Sequence, residues 1–244
     1  MIKAVIFDLD GTLANTMPDL QTAMNNMLTR LGYKTRTRSD LIQAINRGAR
    51  EFVRRSLPKE VQDVDFILES ALETYGEEYS RCYSEKSAPY DGILALLTEL
   101  QARKIKVGIV SNKQHEFVVN LSNKLFEKGL VNFALGQSNM PVKPNPQSTL
   151  FCAKELGAKA HSCIFVGDSD VDMETAKNAG MKSVGVAWGY RPAELLSEAG
   201  ACYIVNEPLE ILSVIDKIND EHEQIRLAAK NGKKLKSISK RAKK

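Results

Sequence analysis

The 244-residue chain is poor in the side chains that build zinc or disulfide sites, with four cysteines and three histidines. Cys82, Cys152, Cys163 and Cys202 are scattered and form no C-x-x-C pair, so neither a disulfide framework nor a structural zinc site is expected. His115, His161 and His222 are equally dispersed, which argues against a zinc triad or a paired nucleophile and base. No stretch approaches the roughly 18 apolar residues of a membrane span. The opening MIKAVIFD reads as a strand running into polar residues, not as a signal peptide. A cytoplasmic protein without a membrane partner is the expectation. Disorder of the whole chain is excluded as well, because 43% hydrophobic content over this length can bury a full core.

The formal charge of +4 is a property of one end. From Arg226 to Lys244 the sequence holds nine Lys/Arg and no acid; the remainder carries 25 basic against 30 acidic residues, a net of −5. The basic run has no aromatics to stack on bases. It is therefore read as a solvated helix or a tail over 226–244, and nucleic acid is not an expected partner.

Short β-branched runs recur at Ala4–Phe7, Val107–Val110, Cys163–Val166, Ser183–Val186 and Cys202–Val205, with a weaker one at Phe133–Leu135. Such runs without alternation indicate strands covered on both faces. Helical patterns lie between them, as over Gly92–Arg103 and Pro146–Leu156. Strand followed by helix, repeated, predicts an α/β fold with a parallel sheet and crossover helices. The interval from Met17 to about Ser84 breaks the rhythm with helical periodicity and no convincing strand. An all-helical cap domain over 17–84, inserted after the first strand into a core formed by 1–16 and 85–225, is expected. Its Phe, Leu and Ile content suits a monomer or a homodimer.

Ligands of open parallel sheets sit at the carboxyl ends of the strands. There the sequence places Asp8-Leu9-Asp10-Gly11-Thr12, Ser111-Asn112-Lys113 and Gly167-Asp168-Ser169-Asp170-Val171-Asp172, with Val142-Lys143-Pro144-Asn145-Pro146 before a later helix. Magnesium favours oxygen ligands and takes few carboxylates, a requirement that Asp8 and Asp168 suit. A carboxylate nucleophile at Asp8 would form an aspartyl-phosphate, while Asp10 could reach the leaving oxygen and carry a proton. Ser111 and Asn112 can donate to phosphoryl oxygens, and Lys143 can neutralise charge in the transition state. Each motif alone has a plain structural alternative: an Asx turn, a helix cap or a surface lysine. Four together on one sheet edge point to an active site.

Through FDLDGT, VSN, KPNP and GDSDVD in order, across nearly the whole chain, the sequence resembles the haloacid dehalogenase-like superfamily. The resemblance implies a Rossmann-like core with a helical cap, and magnesium-dependent hydrolysis of a small-molecule phosphate ester. It implies Asp8 as nucleophile, Asp10 as general acid/base, and Ser111, Asn112 and Lys143 as phosphate-holding groups. Magnesium would be held by Asp8, the backbone carbonyl of Asp10, and Asp168, with Asp172 orienting Lys143 or a metal-bound water. Pro18-Asp19-Leu20, the segment Gly48–Arg55 and Trp188-Gly189-Tyr190-Arg191 further resemble phosphoglycolate phosphatases, which implies 2-phosphoglycolate as substrate. Asn46 stands where many relatives have a second glycine, and Gln114 where they have proline. Gly48 and the amides after it could receive a substrate carboxylate at a helix N-terminus, assisted by Arg47, Arg50, Arg54 or Arg55; Thr12 is a further candidate substrate contact. A sugar-phosphate phosphatase, a pyrophosphatase and a β-phosphoglucomutase-like phosphomutase are the alternatives within the superfamily.

Overall fold

The computed structural model describes residues 1–241, with the side chains of residues 1–228. Its order of elements is β1 (Ala4–Phe7), β2 (Ala14–Asn15), α1 (Met17–Arg30), α2 (Arg38–Ala44), α3 (Ala49–Ser56), α4 (Asp65–Cys82), β3 (Ala88–Pro89), α5 (Ile93–Ala102), β4 (Lys106–Gln114), α6 (His115–Leu125), β5 (Phe133–Gln137), α7 (Gln147–Glu155), β6 (Cys163–Gly167), α8 (Asp170–Asn178), β7 (Lys182–Val186), α9 (Ala193–Glu198), β8 (Tyr203–Val205) and α10 (Glu210–Arg241). Six strands form one sheet in the order β5-β4-β1-β6-β7-β8, and every pairing in it is parallel.

Strand β1 shows why this sheet needs helices on both faces. Its four residues are all buried, and successive side chains point to opposite sides. Val5 and Phe7 join a cluster with Leu96, Leu97, Leu121 and Ile215, from α5, α6 and α10. Ala4 and Ile6 join another with Cys152, Ala153 and Ala176, from α7 and α8. Because β1 pairs with β4 on one side and β6 on the other, the chain leaves it in both directions, and a crevice opens at its carboxyl end.

The expected all-helical insertion is α1 to α4, which surround their own apolar cluster of Leu20, Met24, Leu28, Leu41, Phe52, Leu68 and Tyr75 among others. Two residues of the larger body, Phe117 and Tyr190, complete that cluster. The two crossings between body and insertion are held by the antiparallel ladder of β2 and β3, in which Ala14 faces Pro89 and Asn15 faces Ala88. Buried Asp19 reinforces it, accepting hydrogen bonds from the amides of Lys86 and Ser87 and from the Ser87 hydroxyl at 2.7–3.0 Å.

Strand β4 is longer than the apolar run Val107–Val110 that predicts it. Polar Ser111 to Gln114 continue the strand, because Gln114 pairs with Gln137 after a register shift. At the other end, α10 continues unbroken from Glu210 to Arg241, so the backbone of the basic run is helical that far, one of the two forms expected of it. The tail's side chains beyond 228 and residues 242–244 lie outside the described residues.

Candidate active site

The carboxyl ends of β1, β4 and β6, with the loop before α7, deliver buried polar groups to one place. Asp8, Asp10, Ser111, Asn112, Lys143, Asp168 and Asp172 are each at most 6% exposed. Gly11 makes the first turn possible. Its φ is +86°, and a Cβ there would fall 2.2 Å from Asp168 Oδ2, so both conformation and space require glycine. The turn is locked from above, where Trp188 Nε1 donates to Thr12 O at 3.0 Å. The Tyr190 hydroxyl accepts from the amides of Thr16 and Met17 at 3.2 and 3.1 Å.

Lys143 is the cation of the buried cluster. Its Nζ lies 2.9 Å from Asp8 Oδ1 and 2.7 Å from Asp172 Oδ1. The approach to Asp8 lacks hydrogen-bond alignment and leaves Oδ1 without a hydrogen-bond donor. Burial acts to lower the pKa of Lys143, but Asp172 and Asp8 outweigh it and hold the ammonium above its ordinary value. Asp172 is fully engaged, since its Oδ2 accepts from the Ser169 hydroxyl and amide in a capping box that starts α8. Asp168 accepts from Thr12 Oγ1 at 3.2 Å and from the Tyr190 amide at 2.8 Å. Thr12 is thus fully buried and turned onto Asp168, and it does not line the cavity described below.

These carboxylates are short of positive charge. One carboxylate oxygen from each of Asp8, Asp168 and Asp172 lies within 4.8 Å of the others. Burial pushes the Asp8 carboxyl up to about 6, with Asp172 and Asp10 adding to the rise against the pull of Lys143. Asp168 is also raised well above its ordinary value, by burial first and then by Asp172 and Asp8. A divalent cation would relieve that repulsion, and a hard-oxygen donor set of this kind fits magnesium. Asp8, Asp168 and Asp172 each place an oxygen where it could hold such an ion, and Asp172 alone among them both accepts a hydrogen bond from the Lys143 ammonium and caps α8.

Asn112 has a different part from the one its position in the motif suggests. Its amide donates to Lys143 O and Asn46 O, both at 3.0 Å, and its carbonyl accepts from the Lys143 amide at 2.7 Å. Both side-chain N–H groups are therefore spent on tying the Lys143 loop and the insertion to β4. Ser111 keeps its hydroxyl proton free among the described contacts, its oxygen accepting from the Lys113 amide at 3.4 Å.

Asp10 is held by two groups that sequence reasoning missed. Lys113 Nζ bonds both its oxygens, at 2.8 and 2.9 Å, and the Thr16 hydroxyl donates to Oδ1. Lys113 is itself buried and sits over the Tyr79 ring, 4.9 Å from the centroid. Its place directly after Asn112 was the one available signal; the pairing spans 103 residues and has no local signature.

A cavity of about 50 Å³ opens beside Asp8 and Asp10. Ser111, Asn112, Lys113 and Gln114 line it from β4, while Leu20, Phe52, Tyr75 and Tyr79 form an aromatic and aliphatic wall from the insertion. Gly48 and Ala49, at the start of α3, also line it. Arg50 does not: its guanidinium pairs with Glu69 on the exposed side. Arg47 pairs with Asp170 at 3.3 Å, and Arg54 and Arg55 with Glu51 at 2.8 and 2.5 Å. A helix presents only part of its circumference to one side, and acids outside the cavity claim all four arginines.

Comparison with known proteins gives a consistent set of likenesses. The profile of the haloacid dehalogenase-like hydrolases matches residues 5–186. The phosphoglycolate phosphatase of Pseudomonas fluorescens (strain Pf0-1) is 32% identical over 211 residues, covering 84% of this chain and 76% of that protein. A crystal structure from Lactobacillus delbrueckii subsp. bulgaricus superposes with a TM-score of 0.81 at 30% identity, covering 87% of this chain and 98% of the other. The β-phosphoglucomutase of Clostridium difficile shares the fold, with a TM-score of 0.73 at 24% identity over 91% and 99% of the two chains.

Proposed function

Because the chain belongs to the haloacid dehalogenase-like hydrolases, we propose that it is a magnesium-dependent phosphatase that cleaves a small phosphate monoester through an aspartyl-phosphate on Asp8, with 2-phosphoglycolate as its substrate. The observation that carries this reading is the meeting of Asp8, Lys143 and Asp168 at one sheet edge, beneath a cavity that Asp10 and Ser111 line.

In the proposed reaction, an Asp8 carboxylate oxygen attacks phosphorus while the bond from phosphorus to the leaving oxygen breaks. Asp10 gives that oxygen a proton, then takes one from the water that hydrolyses the acyl phosphate, so phosphate leaves and Asp8 is restored. The Ser111 hydroxyl donates to a phosphoryl oxygen. Lys143, kept charged by Asp8 and Asp172, offsets negative charge as it moves onto the transferring group. Asn112 supports this arrangement by fixing the Lys143 backbone. Asp8, Asp168 and the backbone carbonyl of Asp10 would hold magnesium, whose charge reduces the repulsion between an anionic nucleophile and an anionic phosphate.

Two features support a leaving group of few atoms. The cavity of about 50 Å³ has room for several waters' worth of ligand. Its far wall is closed by Phe52, Tyr75 and Tyr79, which exclude water from the reacting centre. The test is a panel of 2-phosphoglycolate, hexose phosphates and pyrophosphate, with and without magnesium, assayed for free phosphate. Turnover of 2-phosphoglycolate that needs magnesium is expected. Turnover of hexose phosphates or pyrophosphate with none of 2-phosphoglycolate removes the substrate assignment, and conversion of a sugar phosphate to its isomer without release of phosphate removes the phosphatase reading.

A further inference from the structure

Resting on that reading, the geometry points to Lys113 and Asn46 as the receptor for a carboxylate on the leaving group, a role expected from sequence at Gly48 and the arginines of α3. Among the described residues that line the cavity, Lys113 is the one cation; Arg47, Arg50, Arg54 and Arg55 are paired away from it. An ammonium has three N–H donors. Two of those on Lys113 go to the Asp10 oxygens; the third meets no oxygen or nitrogen acceptor among the described residues, the ammonium lying 4.9 Å from the Tyr79 ring centroid. A buried charge with a spare donor at a cavity wall is a costly arrangement unless a ligand completes it.

Asn46 stands in the same wall. Its φ of +90° is a conformation that asparagine tolerates better than most side chains. Its backbone carbonyl is fixed by Asn112, while its side-chain Nδ2 is buried without a hydrogen-bond partner. The hydroxyl of Tyr79, another lining residue that is only 3% exposed, is also unpartnered. Lys113, Asn46 and Tyr79, each with an unfilled polar valence, thus belong to the lining of one small cavity, polar on the side of Asp8, Asp10 and β4 and apolar on the side of Leu20, Phe52 and Tyr75. A carboxylate, with two oxygens and about four acceptor sites, has the chemistry to fill them. Lys113 reaches both Asp10 and the ligand on its flexible stem, so the residue that steadies the proton carrier also reads the leaving group.

The experiment compares 2-phosphoglycolate with ethyl phosphate, which has the same two carbons without the carboxylate. The quantity read is the ratio of kcat/KM for the two esters in wild type, Lys113→Met and Asn46→Asp. Wild type is expected to favour 2-phosphoglycolate. Lys113→Met should lower the ratio by about thirtyfold or more, as loss of one partner of a buried charge pair does. Asn46→Asp keeps side-chain size and tolerance of positive φ, so it tests the site should Lys113→Met fail to fold. It should lower the ratio mainly by raising KM for 2-phosphoglycolate. Equal losses on both esters, with the ratio unchanged, would show that Lys113 acts on Asp10 alone and overturn the inference. A wild type that prefers ethyl phosphate overturns it too while leaving a phosphatase. One that hydrolyses no phosphate monoester removes the phosphatase reading and this inference together.

Discussion

Asp8 is poised against its own environment. Burial raises its pKa from 3.8 to about 6, so the fold favours the protonated carboxyl more than the unfolded chain does. A group raised in this way contributes stability at acid pH and loses it as pH climbs from about 3.8 to about 6. The metal-free Asp8→Asn variant should therefore match wild type in Tm near pH 4 and exceed it above pH 6, by a few degrees if the relief is worth about 1–2 kcal/mol. Magnesium should raise the Tm of wild type more at pH 7 than at pH 5, and hardly at all in Asp8→Asn. Thermal melts across that range, with magnesium or a chelator, measure both. A wild type more stable than the variant at pH 7 without metal would show that Lys143 already compensates the charge. Most side chains of this cluster were legible in the sequence because they adjoin an apolar run that ends at the same sheet edge, and Lys143 because it stands in the Lys-Pro-Asn-Pro segment before α7. The commitments of Asn112, and the pairing of Lys113 with Asp10, were not, because they depend on which loops meet.

At the scale of elements, the apolar runs marked the strands well where both faces are covered. They missed the polar end of β4, which is strand by virtue of its pairing with β5 and not by composition. They also missed β2 and β3, each of two residues, too short to carry a period. That ladder matters because the chain passes between body and insertion only there, and Asp19 at the start of α1 binds the returning strand. Its carboxylate meets two backbone amides and one hydroxyl at a position 1% exposed. Asp19→Ala leaves these donors unpaired, which should cost roughly 2–4 kcal/mol. Urea denaturation should show this as a lower midpoint with an unchanged slope. A shift under about 0.5 kcal/mol would mean that water replaces the carboxylate and that the ladder alone holds the crossing.

Over the whole molecule, the insertion and the sheet body are one cooperative structure to the extent that they share side chains. Phe117, from α6 of the body, lies edge-on to Tyr79 with centroids 4.8 Å apart and tilted against Tyr83 at 5.1 Å, inside the apolar cluster of the insertion. Arg191 adds a polar tie, donating to the Ile42 carbonyl. Because Phe117 also lines the cavity, the contact that unites the two parts is a wall of the candidate active site. Phe117→Ala removes the ring from both tyrosines at once and should cost about 3–5 kcal/mol. The loss should fall unevenly, because β1 and β6 keep all their own partners while α1 and α4 lose part of the surface that buries them. Hydrogen exchange is the measurement that separates these consequences. In wild type the amides of α1, α4, β1 and β6 should open with similar free energies; in Phe117→Ala those of α1 and α4 should exchange well before those of β1 and β6. Equal loss of protection in helices and strands would mean that the β2–β3 crossing and Arg191 are enough to keep the two parts unfolding together.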